Sequence, residues 1–349
     1  NLFVSAPNGP APITTNAVSI TWSETLAPAR SAAARTIQYS RDGGSSFSPP
    51  RSLRVAGGQS ALTVTPSGVL LVARASPESL SCARSSDGGL SFLPPPGAVQ
   101  RLTQAANPAI SVDASGQVNL VWDVDSTLVD YARSTNDGQS FSIPQTISAP
   151  EGSSVRQWLP DVSTDSLRTT YVIWNRSRPF TSQKDRIYFS KATIGHSFIS
   201  PVALTDTLRA ARDGRMLANG AGLLDAMWVY DGATDTLFLV TSTNSGASFN
   251  RRAALGLPGD GGGVSRNLSM VRTPGGTLHV VLQTSVGGNL ECFYTSIAPG
   301  SSTFATPVNI SNSPGPSLTP AVVLSGVVPL VVWSDVIGSG RDIVFSKKQ

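Results

Sequence analysis

Apolar residues along this chain fall in short runs, partly alternating with polar ones and bounded by Gly, Asp, Asn, Ser or Pro. The clearest set is Ala109-Ile110-Ser111-Val112, Val118-Asn119-Leu120-Val121-Trp122, Val129-Asp130-Tyr131-Ala132 and Ile143-Pro144-Gln145-Thr146-Ile147. Runs this short, rich in β-branched and aromatic residues, predict strands and not helices. The set recurs at intervals of about fifty residues, as tandem repeats do, so it predicts a four-stranded antiparallel sheet copied in series. Such a sheet cannot bury both faces alone and must stack on its neighbours, which a propeller achieves radially.

Five of the six tryptophans close the second run of a repeat: Trp22, Trp122, Trp174, Trp228 and Trp333. Arg74 and Leu282 hold that place in two others. The count predicts an all-β, seven-bladed β-propeller in a single domain spanning 1–349. Its blades fall at 6–56, 57–104, 105–150, 151–206, 207–257, 258–312 and 313–349. The last repeat, from Thr319 through Trp333 to Phe345, has no fourth apolar run, while Leu2-Phe3-Val4-Ser5 resembles the fourth run Val308-Asn309-Ile310-Ser311. Residues 1–5 are therefore expected to add the outer strand of the last blade, closing the ring and leaving only short protected edges.

Each third run leads into Ser-x-Asp/Asn-x-Gly-x-Ser-Phe or a worn copy of it. The good copies carry Ser40, Asp42, Gly44 and Phe47; Ser85, Asp87, Gly89 and Phe92; Ser134, Asn136, Gly138 and Phe141; and Ser242, Asn244, Gly246 and Phe249. Lys191–Phe198 and Ser296–Phe304 are degenerate copies. A carboxylate or amide at the third position accepts N–H groups of its own turn, Gly at the fifth permits a left-handed backbone, and the Phe is an apolar plug. The motif reads as a hairpin clamp.

These turns resemble the Asp-box, or BNR, repeats of sialidase-like β-propellers over essentially the whole chain. The resemblance implies that the boxes are structural and lie on the face opposite the ligand site. It also implies that the fold serves glycosidases, lectin-like binders and assembly factors alike. Sialidases of that family have six blades, an Arg-Ile-Pro segment, an arginine triad, an Asp acid/base and a Tyr-Glu pair. Here no Arg-Ile-Pro occurs, and the four glutamates are Glu24, Glu78, Glu151 and Glu291, with no matching Tyr-Glu pair.

On the ligand face expected from that fold, the segments leading into the first strands carry Arg156 and Trp158, then Arg209, Arg212 and Arg215, then Arg266. Arg176, Arg178, Lys184 and Arg186 lie on a long neighbouring loop. Guanidinium forks bind carboxylate, sulfate or phosphate bidentately, so Arg156, Trp158, Arg212, Arg215 and Arg266 are the candidate ligand-binding residues. The competing expectation is that these arginines pair with Asp161, Asp206, Asp213 and Asp260 nearby. The positions opening the first strands, Ser60, Asn107, Trp158, Arg212, Arg266 and Thr319, differ from blade to blade. That variety predicts one asymmetric site and not seven equal ones.

Other chemistry is thinly represented. His196 and His279 are the only histidines, one in a worn turn and one in a strand, so neither a zinc cluster nor a Ser-His-Asp triad is expected. Gly259-Asp260-Gly261-Gly262-Gly263 lacks the spacing of a phosphate cradle. Asp123-Val124-Asp125-Ser126 offers two carboxylates, too few for a calcium loop. The net charge of +4 comes from scattered arginines without a basic stripe, which argues against nucleic acid as a partner. No membrane span is expected, because no apolar run reaches eighteen residues. Cys82 and Cys292 fall on third strands of distant blades and are expected to be free thiols.

The sequence thus predicts a secreted, periplasmic or cell-surface propeller without metal or cofactor. Its expected role is non-catalytic binding of a glycan or another, anionic, surface ligand. Two alternatives stand beside it: a sialidase-like hydrolase in which Arg212, Arg215 and Arg266 hold an acidic sugar, and a protein-binding scaffold.

Overall fold

The computed structural model describes residues 2–4, 19–21, 36–40, 51–52, 59–76, 79–89, 91–92, 105–152, 154–262, 265–337 and 340–347. Every regular element among them is a strand. The contacts divide the chain into two compact units, residues 1–10 with 58–256 and residues 11–57 with 257–349.

The first unit holds four four-stranded sheets, numbered here in chain order. Sheet II contains Leu2–Val4, Gln59–Val64, Leu70–Ser76 and Ser79–Ser85. Sheet III contains Ala105–Val112, Val118–Val124, Leu128–Ser134 and Gln145–Thr146. Sheet IV contains Arg156–Thr164, Thr170–Ser177, Arg186–Ala192 and Val202–Ala203; sheet V contains Ala211–Asn219, Leu223–Tyr230, Thr236–Ser242 and Asn250–Gly256. The second unit holds sheet I (Ser19–Thr21, Thr36–Ser40, Arg51–Ser52), sheet VI (Arg266–Arg272, Leu278–Val286, Asn289–Ile297, Val308–Asn309) and sheet VII (Ser317–Ser325, Val328–Ile337, Gly340–Lys347). The fold is all-β and built of four-stranded antiparallel propeller blades.

Within the first unit the leading strands of sheets II to V lie beside one another in chain order, and a core fills each gap. Trp122 packs with Leu71, Leu80 and Ile110 between sheets II and III. Trp174 packs with Val121, Val129 and Ile147 between III and IV, and Trp228 with Ile173, Phe189 and Met216 between IV and V. In the second unit Trp333 packs with Val281 and Tyr294 between VI and VII. All four indoles are buried. A strand covered on both faces has no solvent side to set a clean alternation, and Val118–Val124 is buried along its whole length, Asn119 and Asp123 included.

Two expectations are corrected. Five sheets among the described residues have four strands, not seven; sheets I and VII have three. In sheet VII the third described strand is Gly340–Lys347. Nor does the first segment complete that sheet. Leu2–Val4 instead pairs in parallel with the leading strand of sheet II, in the register Leu2↔Ser60, Phe3↔Ala61 and Val4↔Leu62. An open strand edge offers unpaired N–H and C=O groups to any extended segment within reach, and here that edge belongs to Gln59–Val64. Trp22 and the box residues Asp42, Gly44 and Phe47 lie outside the described residues.

The recurring turns close as their composition requires. In the Ser134 turn, Ser134 Oγ donates to Asn136 Oδ1 at 2.8 Å, while Gly138 N–H donates to Ser134 Oγ at 3.0 Å and Ser140 N–H to Asn136 Oδ1 at 3.0 Å. The Ser85 and Ser242 turns repeat this set, with Ser91 N–H on Asp87 and Ser248 N–H on Asn244, both at 2.9 Å. Gly138 takes φ 75° and sits against the preceding sheet, where an added Cβ would meet Leu71 Cδ2 at 2.6 Å. A basic residue of the preceding sheet clasps the turn: Arg84 Nε donates to Asp137 O at 3.1 Å, and Lys191 Nζ to Ser245 O at 2.5 Å.

Candidate functional site

In sheets III to V the leading strand begins at the end of the sheet opposite the recurring turn, as the pairings Ala105↔Val124, Arg156↔Ser177 and Ala211↔Tyr230 fix. Each of these strands bulges one turn of pleat after its start, and sheets VI and VII do the same. The residue at the kink is left-handed although it is not glycine: Asn107, Leu159, Asp213, Asn267 and Thr319 have φ between 47° and 55°. Side chains rarely adopt that backbone, and such strain collects at functional sites. The bulges also correct the sequence alignment. Trp158, Arg212 and Arg266 precede the kink, whereas Asn107 and Thr319 are the kink itself.

The residue after the tryptophan row supports these kinks. Asp123 Oδ2 accepts Asn107 Nδ2–H at 2.6 Å and the Leu159 N–H of the next sheet at 3.4 Å. Gln283 Oε1 does the same in the second unit, taking Asn267 Nδ2–H and the Thr319 N–H, both at 3.0 Å. Burial pushes the Asp123 carboxyl up to about 6, against the hydrogen bonds from Asn107, Leu159 and Ser126. Asn175 occupies the same place in sheet IV, is buried, and has no hydrogen bond on either amide atom among the described residues.

Around the sheet IV kink stand most of the residues singled out from the sequence. Trp158 is half-buried and pairs across the sheet with Asn175; Arg156 is exposed at the strand's first position. Gln157 locks the strand, accepting Trp174 Nε1–H at 3.0 Å and donating Nε2–H to Thr127 O at 3.0 Å and Ala149 O at 2.7 Å. Asp161 and Arg215 follow the kinks of adjacent strands. Burial raises the Asp161 carboxyl, while the Arg215 charge and the Met216 N–H at 2.8 Å pull it back.

The arginines are largely neutralised by carboxylates. Arg212 Nε lies 2.9 Å from Asp231 Oδ2 and 3.7 Å from Asp185 Oδ2. Arg176 and Arg178 both grip Glu151, the latter at 2.8 Å, and these bonds, Arg176's foremost, hold the Glu151 carboxyl down to about 2. Arg186 donates to Thr205 O at 3.0 Å, and Arg209 lies over the Tyr230 ring at 4.2 Å. Arg266 opens its strand in the second unit and is exposed there. The structure therefore gathers Arg156, Trp158, Arg212 and Arg215 at one end of sheets IV and V, with Asp161, Asp123 and Asn175, which the sequence reading did not propose as ligand-binding. Asp123 and Asn175 share a signal, an Asp or Asn directly after the second-strand tryptophan, whereas Asp161 lies on a first strand and carries none. No group of three metal-ligating side chains gathers among the described residues.

Comparison of the fold with solved structures finds carbohydrate-active proteins at low identity. The α-L-arabinofuranosidase Arb93A of Fusarium graminearum, in complex with an iminosugar inhibitor, matches with a TM-score of 0.58 and 13% identity over 84% of this chain and 92% of that one. A polysaccharide lyase of family PL25, an ulvan lyase bound to -[GlcA(1-4)Rha3S]-, matches with a TM-score of 0.61 and 10% identity over 95% and 94%. The α-L-arabinanase of Penicillium chrysogenum, complexed with arabinobiose, matches with a TM-score of 0.56 and 14% identity over 84% and 93%. These likenesses establish the fold. No protein-family model matches the sequence. A search of curated proteins finds no relative.

Proposed function

We propose that this protein is an exported glycan-binding propeller of the Asp-box type, whose ligand lies over the kinked ends of sheets IV and V. The observation that carries the reading is the half-buried Trp158 beside the left-handed Leu159 and paired across the sheet with Asn175, while no ion pair engages Arg156 among the described residues. An indole face takes the apolar face of a sugar ring while neighbouring amide, carboxyl and guanidinium groups take its hydroxyls. Fold likeness to arabinan- and ulvan-acting enzymes supports a saccharide over a protein as the ligand. An arginine triad of the sialidase kind fits less well, because Arg212 already holds Asp231 and Asp185.

Calorimetric titration with arabinobiose and with a glucuronate-rhamnose disaccharide tests this. Binding should weaken roughly tenfold, about 1.4 kcal/mol, in Trp158→Ala with little change in Tm. Binding unaffected by that substitution would sink the reading.

A second reading, glycoside cleavage, is favoured by Asp123 and Asp161, two carboxyls that burial holds above their usual range at the same end of the sheets. A carboxyl whose hold on its proton is strengthened by burial is a general-acid candidate. Turnover of nitrophenyl arabinofuranoside or loss of oligosaccharide in a reducing-sugar assay, abolished in Asp161→Asn, would establish it. Absence of turnover leaves the binding role.

A further inference from the structure

A groove of about 330 Å3 runs between the outer strands of sheets III and IV, at the low end of the range for small-molecule pockets. It is independent of the Trp158 end. Arg133, Arg168 and His196 line it, and no carboxylate does. Arg168 is committed, its Nε on Asp113 Oδ2 and its NH2 on Gln117 Oε1, both at 3.2 Å. Arg133 is exposed, its charge acts on Tyr131, and its guanidinium has no hydrogen bond or ion pair among the described residues.

One wall of the groove is the worn turn Lys191–Phe198. In the intact turns the third-position Asp or Asn accepts the N–H of the seventh residue, at 2.9 to 3.0 Å. Here the third position is Thr193, and the Ser197 N–H finds no acceptor among the described residues. The turn has lost the side-chain oxygen, an Asp carboxylate or Asn amide, around which its relatives are built, and the loss opens onto a groove lined by Arg133 and Arg168. Apolar surface flanks the same space: Tyr131 meets Phe198 edge-on at 4.9 Å, while Ile143 and Ile194 are 91% and 49% exposed. Large aliphatic side chains so exposed at the mouth of a polar groove suit a ligand with one apolar face.

We propose that this groove is a second ligand site, taking an oxyanion, carboxylate or sulfate, carried on a sugar-sized ring. The oxyanion stands in for the missing third-position acceptor at the Ser197 N–H and is gripped by Arg133, and the ring lies against Ile143 and Ile194. Charge-assisted bonds of this kind are the strong ones.

Titration calorimetry with D-glucuronate, glucose 6-sulfate, glucose and sodium sulfate tests the site. Glucuronate or the sulfated sugar should bind saturably, glucose should not, and the stronger of the two identifies the oxyanion. Arg133→Gln should weaken that binding at least tenfold, and Thr193→Asp, which supplies the turn with the acceptor Asp87 gives the Ser85 turn, should abolish it while raising Tm. Trp158→Ala should leave it unchanged, so this site and the Trp158 face fail separately. No saturable binding of either acidic sugar, or binding that Arg133→Gln and Thr193→Asp leave intact, would overturn the proposal, as would sulfate ion binding as tightly as the sugars.

Discussion

Asp123 and Glu151 pull the pH dependence of this protein in opposite directions. Asp123 has a folded pKa of about 6, above its unfolded value, so the stability it permits is fully present below about pH 4. That stability is lost as pH rises from about 4 to 6, where the buried carboxyl must ionise. Glu151, held down to about 2 by Arg176 and Arg178, contributes stability present above about pH 4.3 and lost as pH falls toward 2. Asp123→Asn should therefore remove the fall between pH 4 and 6 while leaving the acid limb intact, an effect on the order of 3 kcal/mol at pH 7. Denaturant midpoints measured at pH 4, 5, 6 and 7 decide it; parallel curves for variant and parent would contradict the assignment. None of this was legible in the chain. Asp123 reads there as one of two loop carboxylates, because its partner Leu159 N–H lies on the next sheet, and residue spacing carries no information about that neighbour.

Among the elements, the recurring turn was legible and the kink was not. Ser, Asp or Asn, Gly and Phe each have a local job, so their spacing alone specifies the hydrogen bonds found at Ser85, Ser134 and Ser242. The kinks obey no such local rule. Asn107, Leu159 and Thr319 each precede a proline, which normally drives the preceding residue to extended backbone, yet all three are left-handed. Tertiary support from Asp123 and Gln283 overrides the local preference at Asn107, Leu159 and Thr319. Gly138→Ala should destabilise by roughly 2 kcal/mol or more, combining a positive-φ penalty with the Leu71 clash. Gly68→Ala, with φ 80° and open space around it, carries the backbone penalty alone. Thermal melts of the two variants should rank them in that order. Asn136→Ala loses the acceptor of the Ser134 hydroxyl and the Ser140 N–H and should cost about 1–2 kcal/mol.

For the molecule as a whole, strand runs recurring every fifty residues sufficed to give a propeller of four-stranded blades. The number of complete blades and the place of Leu2–Val4 did not follow, since both depend on which strand edge is open and not on any pattern in the runs. Cys82 and Cys292 are free and buried. Desolvation pushes the Cys82 thiol up to about 12 and raises Cys292 as well. Native protein should show no reaction with a thiol-specific chromogenic disulfide at pH 8, and two equivalents after denaturation. Reaction of either thiol in the native state would show that its sheet opens locally.

The clasps of Arg84 on Asp137 and of Lys191 on Ser245 run one way, each from a sheet to the turn of a sheet still to come. During synthesis, then, a blade leaves the ribosome with a basic side chain awaiting a carbonyl that has yet to be translated. A nascent chain stalled at that point would carry its last blade unlatched.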